Sequence, residues 1–173
     1  MKFSDLLNLK YDRKRDIIPI KVLRKNGVAA PEEVLIQFYS DHGRKESFQD
    51  QYADLDLERI IWEERKISGK EIIDCSYYKE FSSWYEAVKS RSNDWKEKSW
   101  DCIDVRSNVV SNWKENNSWN ISPVFINGSL IQSNNKYHLV EGHTRVAILN
   151  GLIDIGIISE SFQHIIWYGD YIK

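Results

Sequence analysis

The chain has 173 residues, 42% of them hydrophobic and 13% aromatic, with seven Trp. Such a composition excludes a disordered segment, which carries few aromatics and a strong net charge, and the length suffices for one domain with a real core, alone or with a helical extension. A formal net charge of -2 lacks the whole-chain basic footprint of a nucleic-acid-binding protein, although a local basic patch is compatible with it.

The N-terminus, Met1 to Leu7, has no long apolar run and no small-residue cleavage site, so no signal peptide is expected. No stretch approaches the ~18 apolar residues of a membrane span, and a cytoplasmic location is the expectation. Cys75 and Cys102 have neither CxxC spacing nor a nearby His pair, and read as two reduced, partly buried thiols. Charge is unevenly divided. The first 120 residues hold 21 of the 24 basic and 22 of the 26 acidic residues. A charge-rich helical region therefore precedes an apolar, sheet-containing one.

In chain order, Pro31-Glu32-Glu33 opens a helix, because Pro tolerates the missing N–H and the acids suit the positive end of the dipole. Val34, Leu35 and Phe38 form its apolar face, and Gly43 ends it. Asp41 to Lys45 then reads as a helix C-terminus, with His42, Arg44 and Lys45 near the dipole's negative end. Tyr77, Phe81, Trp84, Tyr85 and Val88 fall at helical spacing and predict one aromatic stripe. Arg91 to Lys98 is polar and reads as a loop or helix end. Cys102, Val105, Val109 and Trp113 repeat the helical spacing, and Asn116-Asn117-Ser118 breaks that helix. Both stripes are read as helix–helix core.

After Ile121 the period changes. Pro123 to Ile126 is β-prone and is stopped by Asn127-Gly128, with Ser129-Leu130-Ile131 continuing the sheet. Tyr137 to Val140 is a second strand. Gly142 turns the chain into a helix over roughly Thr144 to Asn150, with Gly151 expected at the position after its end. Val146, Ala147, Ile148 and Leu149 make that helix apolar nearly all round, so it should be buried. His164 to Tyr168 reads as a last strand, with His164 a core or edge histidine. His138 lies in the strand next to the turn.

The chemistry gathers at Glu141-Gly142-His143-Thr144-Arg145, where a strand ends and a helix begins. The first N–H groups of a helix lack internal partners and hold an anion well. Gly142 lets backbone approach a ligand. Arg145 suits phosphate oxygens, His143 donates a hydrogen bond or moves a proton, and Glu141 suits a cation such as magnesium. The same residues also fit a plain structure, in which Thr144 caps the helix and Arg145 pairs with Glu141.

Pro123 to Ile126 followed by Tyr137 to Leu149 resembles the ParB N-terminal/sulfiredoxin-like superfamily: a proline-led strand, a turn, a second strand, a Gly-containing box ending in Arg, and an Ala/Leu-rich helix. Leu55 to Ile60 resembles the element that opens the family's core. The resemblance implies an α+β fold, a small mixed sheet with helices, in which residues 1–54 are a helical N-terminal extension. Residues 55–173 would be the core, with a helical insertion over about 76–116. It also implies a nucleoside triphosphate, ATP or CTP, at Gly142, His143, Thr144 and Arg145, with magnesium at Glu141. His143 stands where sulfiredoxins carry Cys, so sulfinic-acid reduction is excluded. Partition proteins carry Glu, Arg and Arg after the glycine, and only Arg145 matches. The kinase-like members, with acid, Gly, His, His and Arg, match best, Thr144 replacing the second His. In those relatives an acid after the first core strand serves as base, which nominates Glu63 or Glu64 beside His143 as catalytic. Solvated helix-surface charges are the plainer reading of Glu63 and Glu64. A nucleotide hydrolase, a phosphotransferase and a nuclease all remain open, the last disfavoured by net charge. The rival class is a non-catalytic regulatory, immunity or antitoxin-like protein-interaction module on the same scaffold.

Overall fold

In a computed structural model that describes residues 1–172, the β-prone runs assemble into one five-stranded mixed sheet. Its strands are β1 (Ile60–Ser68), β2 (Ser76–Tyr77), β3 (Val124–Asn127), β4 (Tyr137–Glu141) and β5 (Gln163–Tyr171), in the order β1-β5-β3-β4-β2. β5 pairs antiparallel with β1 and parallel with β3, while β4 pairs antiparallel with β3 and parallel with β2. β3 sits at the centre, and Val124, Phe125 and Ile126 are wholly buried. A strand covered on both faces needs a continuous apolar run rather than alternation, which this one has.

Side chains alternate across a sheet, so the two faces collect different partners. Val124, Ile126, Val140 and Ile60 pack with Phe3, Leu6, Phe38, Tyr39 and Tyr52 from the N-terminal region. That region carries α1 (Ile20–Lys25), α2 (Glu32–Val34), a π-helical continuation (Leu35–Ser40) and α3 (Glu46–Tyr52). Phe125, Leu139, Ile166 and Tyr168 face the other way, toward Ile72, Tyr85, Trp113 and Leu149. Those residues belong to α4 (Gly69–Ile73), α5 (Ser82–Lys89), α7 (Ser107–Asn116) and α8 (His143–Asp154), with the short α6 (Trp95–Lys98) between α5 and α7. The fold is α+β, with helices on both faces of the sheet. No helix among the described residues is long and apolar enough to cross a membrane.

Several sequence expectations change in detail. The first 120 residues are not uniformly helical: β1 is a nine-residue strand in which Ile60 and Trp62 alternate inward, so Glu63 and Glu64 are strand residues. Ser129 to Ile131 does not extend the sheet but forms a 3-10 turn, because Asn127 Oδ1 accepts the Ser129 N–H and curls the chain. The aromatic stripe is split. Tyr77 lies in β2 and Phe81 in a 3-10 turn, and only Trp84, Tyr85 and Val88 are on α5. Arg91 to Lys98 is helical rather than a loop, as a 3-10 segment followed by α6. The stripe from Cys102 to Trp113 is also broken. Asp104 Oδ1 accepts the Arg106 N–H, which turns the chain, leaves Val105 fully exposed and delays α7 to Ser107. Asn117 does end α7, in a left-handed conformation. α8 runs on to Asp154, so Gly151 is internal to it.

Candidate functional site

Glu141 is the last residue of β4 and His143 the first of α8, with Gly142 between them at φ +104°. That angle is in the left-handed region, where glycine carries no Cβ penalty. Closeness reinforces the choice, because a Cβ on Gly142 would lie 2.5 Å from Pro123 Cβ. The turn is therefore pinned against the start of β3. The first intrahelical bond runs from Val146 N–H to the Gly142 carbonyl at 3.0 Å, and no side chain caps the helix start. Of the plain alternative, the Thr144 cap is absent while the Arg145–Glu141 pairing is present. Thr144 Oγ1 accepts instead from Trp84 Nε1 at 3.2 Å.

Arg145 points back into the protein. Nη2 donates to Gln37 Oε1 at 2.6 Å, Nη1 donates to the Ile121 carbonyl at 3.0 Å, and Nη2 lies 3.6 Å from Glu141 Oε1. Glu141 Oε2 is in turn 3.6 Å from His42 Nε2, and the His42 ring stacks on Phe48 with centroids 4.2 Å apart. Burial pushes the Glu141 carboxyl up, but the nearby His42 and Arg145 outweigh it and hold the group below its usual range. The network ties the N-terminal layer, through Gln37 and His42, to the turn.

His143 lies among aromatic rings. It is 7% exposed, packs against Phe81 at 4.4 Å and Tyr77 at 6.1 Å, and its buried Nε2 has no hydrogen-bond partner. Burial lowers its pKa from 6.5 to about 4, with the charges of His42 and Arg145 adding to the effect and Glu141 opposing it. The ring is neutral near pH 7. The nitrogen is enclosed, and Tyr39 Oη, His42 Nδ1, Trp62 Nε1 and His164 Nε2 are likewise buried without a partner.

A cavity of about 540 Å³ opens against this helix start. Residues 141–145 form one wall, and α7 with the segment after it forms another, through Asn108, Asn112, Trp113, Trp119 and Asn120. Phe81, Trp84, Asp104 and Arg106 also line it. Arg106 Nε and Nη2 donate to Asp104 Oδ1 and Oδ2 at 2.9 and 2.8 Å, a bidentate pair with the arginine side chain 64% exposed and the aspartate 5%. A second cavity of about 510 Å³ adjoins the first and shares Trp84, Asp104, Arg106 and Thr144 with it. The arrangement places an uncapped helix start, an arginine, side-chain amides and aromatic surface along one cleft.

The structure brings together Glu141, Gly142, His143, Thr144 and Arg145, and leaves Glu63 and Glu64 apart from them. Glu64 pairs with Trp167, Trp167 with Val124, and Val124 with Glu141. Glu64 is thus three strands from Glu141, on the order of 14 Å at ordinary strand spacing. Glu63 accepts from Arg65 Nε at 2.6 Å on the same edge strand. For magnesium, no three His, Cys, Asp or Glu side chains among the described residues gather to hold an ion. Glu141 would offer it one carboxylate already engaged by His42 and Arg145. Trp84, read in sequence as helix–helix core, is instead 52% exposed on the cavity wall, and Gln37, Asp104 and Arg106 were not singled out. Gln37 had a signal, as a lone amide within Val34-Leu35-Ile36-Gln37-Phe38-Tyr39. The Asp104 turn had none beyond an Asp two residues before an Arg. No protein-family model matches the chain, and neither a curated protein nor a solved structure matches it significantly.

Proposed function

We propose that this chain binds a nucleotide, with its phosphates at the start of α8. The observation that carries the proposal is a cavity of about 540 Å³ lying against an uncapped helix N-terminus whose first residue keeps a buried, unpartnered ring nitrogen. A site of ~300–1,000 Å³ suits a ligand of this size. Free N–H groups and the helix dipole favour an anion there, and Arg106 at the rim adds a charged donor. The resemblance of residues 123–149 to the ParB/sulfiredoxin-like superfamily, and to its kinase-like members in the turn, supports the same ligand class. As an enzyme the chain would be a nucleotide hydrolase or phosphotransferase, chemistry that consists mostly of positioning and charge stabilisation. His143, with its pKa lowered to about 4, is a weak base at pH 7 and would serve such a site by position rather than by taking a proton. A protein-interaction module would be expected to expose its aromatics away from the turn. Trp84, 52% exposed, lines the cavity, whereas Phe162, 39% exposed, lies away from it.

Thermal denaturation with ATP, CTP, GTP and UTP, each with and without magnesium, tests the proposal. Binding to the folded state alone raises stability by about 2.7 kcal/mol at a hundredfold excess over Kd. The informative variant is His143→Phe, which keeps the contacts with Phe81 and Tyr77 and removes the ring nitrogens. Arg145→Ala is less informative, because Arg145 holds Gln37 and the Ile121 carbonyl. At least one nucleotide should raise the melting temperature of the wild type, and the rise should shrink in His143→Phe. An equal rise in both proteins would move the site elsewhere.

A further inference from the structure

We infer that Trp84 is the platform on which the base of the nucleotide stacks, so that this cleft selects ligands with an aromatic base over base-free phosphates. The inference rests on the phosphate site proposed at the α8 N-terminus. Trp84 lies on α5 and is 52% exposed, whereas Trp113 and Trp119 in the same cavity are 1% and 8% exposed. An indole left half in water on a cleft wall keeps apolar surface exposed, and a flat ligand gains by covering it.

Its position is fixed rather than loose. Nε1 donates to Thr144 Oγ1 at 3.2 Å, in the second residue of α8. The ring is thereby tethered at the helix start where phosphate would sit. Trp84 also borders both cavities, the one of about 540 Å³ at the turn and the one of about 510 Å³ beyond it. A ligand with its phosphates at the turn and its base toward the second cavity must pass this ring. The Arg91 guanidinium, 5.8 Å from the ring centroid and bonded to the Ile103 carbonyl, backs the indole with a positive charge. Stacking tolerates any base, so the platform implies preference for nucleotides as a class and not for one base.

Isothermal titration of the wild type, Trp84→Ala and Trp84→Phe with ATP, CTP, GTP, UTP and inorganic tripolyphosphate tests this. The wild type should bind at least one nucleotide more tightly than tripolyphosphate. Trp84→Ala should weaken that nucleotide about tenfold, the size of a lost base–aromatic stack, and leave tripolyphosphate unchanged. Trp84→Phe keeps a stacking face but loses the bond to Thr144, and should stay within about threefold of the wild type if stacking is the cause. Equal weakening of nucleotide and tripolyphosphate in Trp84→Ala would overturn the platform, since the ring would then act through Thr144. So would unchanged nucleotide binding in that variant. Wild-type binding of tripolyphosphate as tight as that of every nucleotide would refute the base preference while keeping the phosphate site. No binding of any probe would remove both.

Discussion

At the residue scale, the turn at Gly142 was legible because glycine between a strand and a buried helix has a physical job. The structure supplies two reasons for it, the angle of +104° and the contact with Pro123. Gly142→Ala adds a Cβ that lies 2.5 Å from Pro123 Cβ and 3.1 Å from Arg145 Nη2, and it also strains the backbone. Urea unfolding should show a loss of roughly 2–4 kcal/mol, combining a strained φ with overpacking. Gly156, at φ +75° with open space around the added atom, is the control. Gly156→Ala should cost only the conformational part, about 1 kcal/mol. Equal losses at the two sites would mean that Pro123 moves aside freely. Arg145 was equally visible in the sequence, but its partners were not. Gln37 is 108 residues away, and spacing along the chain says nothing about such a bond.

At the element scale, strongly periodic or wholly apolar segments were readable, as β3, β4 and α8 show. Elements decided by one local hydrogen bond were not. Asp104 begins a turn where hydrophobic spacing predicts continuous helix, and Asn127 does the same after β3. Gly151 illustrates the limit. Near the end of an apolar run, glycine suggests a helix stop, yet α8 continues because Leu152 buries beyond it. The glycine serves packing: a Cβ there would lie 2.5 Å from the Lys89 carbonyl oxygen and 2.8 Å from Ser92 Oγ. Helix propensity alone makes Gly151→Ala stabilising by about 1 kcal/mol. The clash with backbone at the end of α5 opposes that by roughly 1–3 kcal/mol. Packing should win, because the obstructing atom is a carbonyl and not a flexible side chain. The measured denaturation midpoint should therefore fall. A rise would show that α8 and the segment after α5 separate at little cost.

At the scale of the whole molecule, the sheet sits between two helical layers, and the N-terminal layer shares its core with Val124, Ile126 and Val140. Fold class and the succession of elements near the C-terminus followed from local patterning, while the order of strands in the sheet did not. The covering of the second face did not, since it depends on contacts between residues 1–57 and the distant strands. The three-layer burial has a consequence for acid stability. His138, His143 and His164 are all buried, each with its pKa lowered from 6.5 to about 4 chiefly by burial. His138 has partners on both nitrogens, Tyr52 Oη and Ser76 Oγ, whereas His164 bonds Ser118 Oγ through Nδ1 alone. In the folded chain these rings stay neutral until the pH nears 4. In the unfolded chain they take up protons below about 6.5, so unfolding consumes protons in that interval. Stability is therefore complete above pH 6.5 and lost as the pH falls toward 4. Each ring removes about 2 kcal/mol between pH 7 and pH 5 if it acts independently. His143 and His138 influence one another, so the sum should fall short of three times that value. Glu141 and Asp104, held below their usual range, remain ionised in this interval and contribute to the loss only at lower pH. Urea midpoints at pH 7, 6 and 5 should decline steadily. A midpoint flat across that range would mean that the folded chain protonates these rings as readily as the unfolded one, and that the layers around them admit water.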